Sequence, residues 1–456
     1  MNLQLILILL LTLSCSQPSK IRRLGFNNNA LRSPDSLFED KVGIEATLTN
    51  SFLQSNEKLL PPELDSYLES LIVQLKMLCD QCVIKSYTGL SYEKEYKVTF
   101  PDGFSFNVGR DQRVLEITAD PISFDDLSLH TRKISDYLII AGERIGLSPA
   151  RHTGGGHLHF DFQAFFQEDR LLFRDFMVDY YNNQMVFEEY FGGENNNAPV
   201  IDQLPASSQE NFIKIVKDFD ESPFSIYEFM TRLNGEVYHQ TFNEAYTPAN
   251  KYQAISLIHA FREGGTVELR SIRPYQSGES VELIADMFFK RRDYLKNLRK
   301  EGNYPIVKSS SFKGLLPTRD RFKRVKAYLK ESNLDPKKYY QLFPKEAFPY
   351  IWKDLGSEDQ YKFLEGYFLK TPFDFIERVD GFFSKGVLSK LTLDQRRSLL
   401  KILMRKVIQS TNQDNLLKNV MNYKKYLPFD LSKIKEEIEL ETREVPGCGS
   451  LIRPLL

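Results

Sequence analysis

Four short segments of the chain alternate strictly between apolar and polar residues. They are Val42–Leu48, Leu115–Asp120, His157–Phe162 and Thr266–Arg270. Because successive side chains of a strand point to opposite faces, each segment predicts a strand with one apolar and one polar face. An antiparallel sheet with one solvated face is the simplest structure that shows this pattern. The chain is therefore expected to fold around such a sheet.

The polar face of these segments is rich in carboxylates and imidazoles. Its residues are Glu45, Thr47, Glu116, Thr118, Asp120, His157, His159, Asp161, Glu268 and Arg270. Carboxylate oxygens and imidazole nitrogens are ligands for divalent cations. The pattern alone leaves two interpretations open, because the face is either an ordinary solvated surface or a metal-binding site.

The remaining secondary structure follows from periodicity and from residues that begin and end helices. Pro61 and Pro62 open an amphipathic helix through Leu78, since proline fits the first helical turn. A second helix is expected over about 125–145 with Ser123 as its N-cap, and a third over about 165–191. A fourth begins at Ser280 and ends near residue 300. Two further strands are expected around 96–100 and 105–108, joined by a Pro-Asp-Gly turn.

The order of the polar motifs resembles a known family. The motifs are Gly43–Glu45, Leu115–Pro121, Gly156–His159, and Tyr252–Leu257 followed by Thr266–Arg270. In this order they resemble the amidoligase family, whose members are carboxylate–amine ligases related in fold to glutamine synthetase and glutamate–cysteine ligase. The resemblance covers the predicted domain 41–300.

This resemblance implies an α+β fold, a curved antiparallel sheet with helices on one face. It implies that the concave face binds ATP between two or more Mg²⁺ ions. In such enzymes a substrate carboxylate attacks the γ-phosphate, and an amine displaces phosphate from the resulting acyl phosphate. The chain would then be an ATP- and Mg²⁺-dependent ligase that forms an amide on an amino acid or peptide.

Site residues follow from the same resemblance. The implied Mg²⁺ ligands are Glu45, Glu116, His157 and Glu268. The implied catalytic residues are His159 and Arg270, and the implied nucleotide-binding residues are Gly155, Gly156, His157 and Arg270. In this reading Arg270 neutralises charge on the transferred phosphoryl group. A plain flexible loop explains the glycine run equally well.

One position departs from the family pattern. Thr47 stands where the family usually has a second Glu, so either one metal is held more weakly or a neighbour such as Asp120 or Asp161 substitutes. The departure favours an alternative in which the sheet binds a peptide or metabolite without catalysis. A zinc hydrolase built on the histidines is less favoured, since no His-Glu-x-x-His spacing occurs on a predicted helix.

The N-terminus predicts export. Leu3–Leu13 is apolar but short, and it ends at Ser14-Cys15 in a pattern that resembles a bacterial lipoprotein processing site. We expect a signal segment over 1–15, a lipid anchor on Cys15 at the cell envelope, and a tether over 16–40. The alternative is an ordinary cleaved signal or a short membrane anchor. ATP is scarce outside the cytoplasm, so the export prediction conflicts with ATP use.

Residues 301–456 lack alternating strands and predict an all-helical region with segments over 320–330, 358–369 and 392–408. Cys79 and Cys82 predict a structural disulfide or two buried thiols. Lys and Arg number 60 against 61 Asp and Glu. This balance excludes a nucleic-acid binder that acts through an overall basic field. The small-molecule or peptide substrate is instead what the resemblance to the amidoligase family implies.

Overall fold

The structure, a computed structural model, describes most of the chain. The described residues are 40–55, 61–88, 94–111, 113–149, 156–187, 198–238, 253–260, 265–273, 275, 277–308, 318–370, 387, 390–409 and 430–443. The signal segment with Cys15, the tether up to residue 39, and Gly155 lie outside these residues. The described chain forms two compact units, each made of two segments. The first unit contains the residues up to Ala141 and Pro149–Asp335. The second unit contains Gly142–Ser148 and the residues from Pro336 onward.

Within the described part of the chain, an open antiparallel sheet of ten strands forms the centre of the first unit. Eight of them are β1 Lys41–Thr49, β2 Val83–Thr88, β3 Lys94–Thr99, β4 Ser105–Asp111, β5 Val114–Ala119, β8 His157–Asp161, β9 Ile255–Ser256 and β10 Thr266–Leu269. These eight lie side by side in the order β2-β3-β4-β5-β1-β8-β10-β9. The short strands β6 Ile122–Ser123 and β7 Ser148–Pro149 complete the sheet. The chain is thus an α+β protein with an antiparallel sheet, as expected.

The first unit also contains helices. They are α1 Ser51–Ser55, α2 Pro61–Leu78, α3 Leu127–Lys133, α5 Phe162–Phe166, α6 Arg170–Asn182, α7 Ala206–Glu221, α8 Ile226–Arg232, α9 Gly278–Lys300 and α10 Thr318–Glu331, while α4 Ile140–Arg144 begins in this unit and ends within the segment Gly142–Ser148 of the second. Wider π-helical turns follow α3 and α8 over Ile134–Ile139 and Leu233–Val237, and a 3-10 turn covers Ile201–Gln203.

The apolar face of the sheet packs against helices. On β1 the apolar residues Val42, Ile44 and Leu48 are buried, as the alternation predicts. The ring of Phe160 on β8 lies 5.0 Å from that of Phe165 on α5 and 5.2 Å from that of Phe289 on α9. Each buried aromatic or aliphatic side chain stabilises this layer by about 2 kcal/mol. The polar face of the same strands is thereby fixed on the opposite side.

Two helices differ from the prediction, one where it begins and the other in its interior. Ser123 was expected to cap the helix after β5, but it pairs with Lys41 in the sheet, and α3 begins after Asp126. The helical region expected over about 165–191, of which 188–191 lie outside the described residues, is interrupted where Gln167 and Glu168 take left-handed φ values of 53° and 58°. Asp169 then caps α6 by accepting the N–H groups of the first helical turn.

The second unit is helical throughout its described residues from Pro336 onward. Its helices are α11 Pro336–Tyr339, α12 Phe348–Asp354, α13 Ser357–Lys370, α14 Leu393–Gln409 and α15 Leu431–Arg443, with 3-10 turns over Tyr340–Leu342 and Lys345–Ala347. The predicted segments over 320–330, 358–369 and 392–408 are all helical. The first unit continues to Asp335, beyond the predicted domain end at 300, because α10 belongs to it.

The cysteine pair after α2 is oxidised. Cys79 and Cys82 form a disulfide that joins the end of α2 to the start of β2. This is one of the two states that the sequence predicted. Among the described residues, none of the helices combines the length and the apolar character that crossing a bilayer requires.

Candidate metal centre

Three neighbouring strands bring the predicted polar residues together. In the ladder between β1 and β8, Glu45 lies opposite His157. In the ladder between β8 and β10, His159 lies opposite Glu268. Cross-strand partners share a face of the sheet, so the four side chains meet on the polar face. The alternation read from the sequence therefore positions these side chains correctly.

The distances within this group are short. Nδ1 of His157 lies 3.1 Å from Oε1 of Glu45 and 3.4 Å from Oε1 of Glu268. Nε2 of His159 lies 3.6 Å from Oε2 of Glu45 and 3.9 Å from Oε1 of Glu268. Both imidazoles thus face both carboxylates. We name these four residues the metal centre.

The donors of this centre fit a metal ion. One ligand atom each from Glu45, His159 and Glu268 lie within 4.8 Å of one another, which one cation can span. Nδ1 of His157 is buried and makes no hydrogen bond of good geometry with a described residue. A buried nitrogen in that state is suited to coordinate an ion. The buried Glu/His/Glu group can therefore hold a metal, with His157 beside it.

The charges of the centre stabilise one another. Burial would raise the pKa of Glu45, but the imidazoles of His157 and His159 outweigh burial and hold it well below its ordinary value. Burial would lower the pKa of His159, but Glu268 and Glu45 outweigh burial and raise it. The pKa of Glu268 is lowered against the effect of burial, mainly by Arg270. The two carboxylates are therefore held in their ionised, ligand-competent form.

Arg270 adjoins the centre immediately after β10. Its guanidinium donates a hydrogen bond to Oε1 of Glu268, whose side chain is only 3 % exposed. The backbone N–H of Arg270 donates to the carbonyl of Ala254, which fixes the start of its side chain. An anionic ligand that binds a metal ion at the centre can therefore also pair with the guanidinium of Arg270.

Glu116 lies on the same face but one step farther along the sheet. It pairs with Thr47 across the ladder between β1 and β5, whereas Glu45 pairs with Thr118. It is not part of the group of ligand atoms that lie within 4.8 Å. Thr47 is buried, and its hydroxyl makes no hydrogen bond with a described residue. The structure therefore brings together Glu45, His157 and Glu268 of the predicted ligands, with Glu116 as a neighbour.

The two acidic residues expected to substitute for Thr47 are engaged elsewhere. Asp161 caps α5, since its Oδ1 accepts the N–H of Ala164 at 2.8 Å. Asp120 accepts a hydrogen bond from the hydroxyl of Ser105 and forms an ion pair with Lys97 at 3.2 Å. Neither carboxylate joins the centre, so that expectation is wrong.

Gly156 has a packing role at the start of β8. A Cβ atom there would lie 2.6 Å from the carbonyl oxygen of Arg273 and 2.7 Å from Cε2 of Tyr275. The N–H of Gly156 donates to the carbonyl of Ile272 at 3.2 Å. The glycine therefore permits a close approach of the chain after β10, which is a different requirement from the predicted contact with a nucleotide.

Two hydroxyl residues near the centre were missed by the sequence reading. Ser256 pairs with Glu268 in the ladder between β9 and β10, and it is fully buried. Tyr275 is 2 % exposed and packs its ring against Gly156. Neither hydroxyl makes a hydrogen bond with a described residue. The strand that carries Ser256 is too short to show alternation, and Tyr275 follows β10 without any pattern.

Comparison with known proteins adds no relative. The full sequence matches no protein-family model, and no curated protein is significantly similar to it. What the metal centre can do therefore follows from its own donors and charges.

Proposed function

We propose that this chain is an ATP- and Mg²⁺-dependent carboxylate–amine ligase that forms an amide on an amino acid or peptide. The observation that carries the proposal is the convergence of two carboxylates, two imidazoles and Arg270 on one face of the sheet. These groups suit phosphoryl transfer, which requires cations around anionic oxygens. The antiparallel sheet with helices on its apolar face supports a glutamine synthetase-like fold and membership of the amidoligase family.

The proposed reaction has two steps. The substrate carboxylate attacks the γ-phosphate of ATP, and the bond to the β-phosphate breaks to give an acyl phosphate and ADP. The amine then attacks the acyl carbon, loses a proton and displaces inorganic phosphate, which leaves the amide.

The residues of the centre and two neighbouring residues would have different roles in this reaction. Glu45, His159 and Glu268 would hold Mg²⁺, which supplies positive charge to the phosphate oxygens when bound. Arg270 offers N–H donors to the transferred phosphoryl group from its place beside Glu268. Glu116 lies one step away on the same face, where its carboxylate would be the ligand of a second cation.

We place the protein at the bacterial cell envelope, anchored by a lipid on Cys15. The proposal rests on the apolar segment Leu3–Leu13 and on the processing pattern that ends at Cys15. A Cys15→Ser variant would leave the membrane fraction and would no longer be labelled by a lipid precursor. Unchanged fractionation and labelling would contradict the anchor.

A second candidate function is a non-catalytic receptor that binds a peptide or metabolite on the same face. Thr47 favours it, since a buried hydroxyl stands where ligases of this kind have a carboxylate. The scarcity of ATP at the envelope favours it as well. Calorimetric titration with a nucleotide and Mg²⁺ separates the two functions, because the receptor would bind its ligand without a nucleotide.

The ligase is tested by nucleotide turnover with Mg²⁺ across panels of carboxylates and amines. The wild type is compared with Glu268→Gln and His157→Ala, and with Glu236→Gln as a control. Glu236 is not part of the centre and forms a partly exposed ion pair with Arg232. We expect amide formation in the wild type and the control alone. Absence of metal-dependent turnover with every pair would refute the catalytic proposal.

A further inference from the structure

Two buried hydroxyls beside the metal centre make no hydrogen bond with any described residue. They are Oη of Tyr275 and Oγ of Ser256. Their residues are 2 % and 0 % exposed, so water does not reach them freely. Burying a hydroxyl without a partner costs stability, and buried polar groups in folded proteins almost always have one. Two such groups at one site indicate that a ligand supplies the acceptors.

The ring of Tyr275 lies next to the strand that carries both histidines of the centre. Its ring lies against Gly156, where an added Cβ would stand 2.7 Å from Cε2. Gly156 directly precedes His157, so the ring adjoins the strand that carries both imidazoles. Burial, together with the negative charge of Glu45, raises the pKa of Tyr275 well above its ordinary value. The phenol therefore keeps its proton and can donate it in a hydrogen bond.

Ser256 reaches the centre from the other side. It is the direct cross-strand partner of Glu268, so its side chain lies on the same face of the sheet. Its hydroxyl is completely enclosed. The two hydroxyls therefore approach the centre from different elements, Ser256 from β9 and Tyr275 from the segment after β10.

The charge of the centre defines the ligand that they face. Glu45 and Glu268 contribute two negative charges, and Arg270 contributes one positive charge. A divalent cation makes the sum positive, which favours an anion. Because a protonated phenol and a serine hydroxyl both donate to anionic oxygens, the donors and the net charge select the same class of ligand.

We propose that Tyr275 and Ser256 are the hydrogen-bond donors for a carboxylate or phosphate oxygen that binds at the metal centre. The inference deepens the proposed function, because it rests on metal binding by the same residues. It does not depend on amide formation, since a receptor for an anionic metabolite would use the same donors.

The test uses the full-length chain with Tyr275→Phe, Ser256→Ala and the control Tyr238→Phe. Tyr238 is equally buried, and burial alone raises its pKa, with no charge of the centre contributing. Three quantities are measured: the melting temperature of the metal-free protein, Mn²⁺ affinity by electron paramagnetic resonance, and anion affinity of the Mn²⁺-loaded protein. Inorganic phosphate and acetate are titrated separately by water-proton relaxation, to distinguish the two sources of oxygen.

We expect the wild type and Tyr238→Phe to bind at least one anion equally well. Tyr275→Phe should weaken binding of that anion about ten-fold, the loss of one hydrogen bond to a charged acceptor, and Ser256→Ala by a similar factor. The Mn²⁺ affinity of both variants should stay within about two-fold. The melting temperature of metal-free Tyr275→Phe should be equal to or above that of the wild type, because no hydrogen bond within the protein is lost.

Two outcomes would overturn the inference. One is unchanged anion affinity in both variants, or no anion binding by the Mn²⁺-loaded wild type. The other is a clear fall in the melting temperature of metal-free Tyr275→Phe, which would show that the hydroxyl has a partner within the protein. Anion binding that depends on Tyr275 without any amide formation would refute the ligase alone and leave the inference intact.

Discussion

Glu268 connects the groups of the metal centre. Its carboxylate faces both imidazoles and accepts a hydrogen bond from Arg270, while its side chain is almost fully buried. Removing one partner of a buried ion pair is costly, since the remaining charge stays in a poorly solvated place. Metal binding by Glu268, as proposed, would therefore use the same oxygen atom, Oε1, that stabilises the fold.

Replacing Glu268 with Gln should weaken both properties. We expect Mn²⁺ affinity to fall at least about ten-fold and the free energy of unfolding to fall by about 2 kcal/mol, because Arg270 loses its charged partner. Calorimetric titration and urea denaturation measure the two effects. Glu236→Gln, at a partly exposed ion pair, should change stability by less than about 1 kcal/mol, because Arg232 keeps its second ion pair with Asp218. Equal metal affinity in Glu268→Gln and wild type would contradict the assignment.

Thr47 and Thr49 on β1 provide a matched pair of buried hydroxyls. The hydroxyl of Thr49 donates to the carbonyl of Arg113 at 2.9 Å, whereas that of Thr47 has no partner among the described residues. Thr47→Val should therefore keep or raise the free energy of unfolding by about 1 kcal/mol, and Thr49→Val should lower it by a similar amount. Urea denaturation of the metal-free protein compares them. The opposite order would show that Thr47 is bonded within the protein.

Much of the site at the residue scale could be predicted from alternation. It correctly placed Glu45, His157, His159 and Glu268 on one face, because strand periodicity fixes the direction of each side chain. It could not reveal that Asp161 leaves this set to cap α5, because capping depends on where the strand ends. Tyr275 reaches the centre through tertiary contact with Gly156, which no local pattern records.

At the scale of elements, one close contact sets how α9 meets α3. A Cβ on Gly278, the first residue of α9, would lie 1.7 Å from the carbonyl oxygen of Thr131 on α3. The N–H of Gly278 is directed at the hydroxyl of Ser135. The backbone of α3 cannot yield easily, because its groups are hydrogen-bonded within the helix. This contact therefore requires glycine.

Gly278→Ala should lower the free energy of unfolding by about 3 kcal/mol, since the added methyl group forces the two helices apart. Gly235→Ala is the control, because a Cβ at Gly235 meets no atom within 4 Å. We expect the control to be neutral or stabilising by about 0.5 kcal/mol. Urea midpoints measured side by side test both. Equal midpoints for Gly278→Ala and wild type would refute the close packing of α3 and α9.

Helix bounds were predictable where a chemical signal marks them. Helix α2 begins at Pro61 and ends at Leu78 as expected, because proline opens the first turn and the apolar spacing continues to the end. The break between α5 and α6 was not predictable. Gln167 and Glu168 are ordinary helix formers, yet Gln167 ends α5 as its left-handed C-cap, and Asp169 caps the start of α6 directly after Glu168.

At the scale of the whole molecule, the chain divides later than its composition suggested. The shift to lysine-rich helices near residue 300 predicts a domain boundary there, but α10 belongs to the unit of the sheet. Arg291 on α9 links α10 to this unit. Its guanidinium lies over the ring of Tyr328 and forms an ion pair with Glu331, and both of these residues belong to α10. Such long-range pairs leave no mark in local composition.

The charges of the centre predict how stability depends on pH. The lowered pKa values of Glu45 and Glu268 contribute stability above their ordinary value of 4.5, and this contribution is lost as the pH falls. The raised pKa of His159 contributes stability below its ordinary value of 6.5, and this contribution is lost as the pH rises. The metal-free centre should therefore stabilise the fold most between these two values.

Urea denaturation of the EDTA-treated protein at several pH values tests this. From about pH 6.5 to pH 8 we expect the stability of the wild type to decline, because His159 loses its proton beside Glu45 and Glu268. His159→Gln removes the imidazole that loses its proton, so the stability of this variant should decline less over the same pH range. The difference between the proteins isolates His159 from His130, whose pKa is lowered by burial and whose effect has the opposite sign. Parallel pH profiles would contradict the prediction.

The ladders that join β1 to β8 and β8 to β10 have a kinetic consequence. They pair residues far apart along the chain, so the ligands meet only after two slow, non-local strand pairings. Coordination then comes late in refolding. A bound cation should slow the unfolding rate and leave the refolding rate nearly unchanged. Stopped-flow traces with Mn²⁺ and with chelator would show this, and faster refolding with Mn²⁺ would mean that the ligands assemble early.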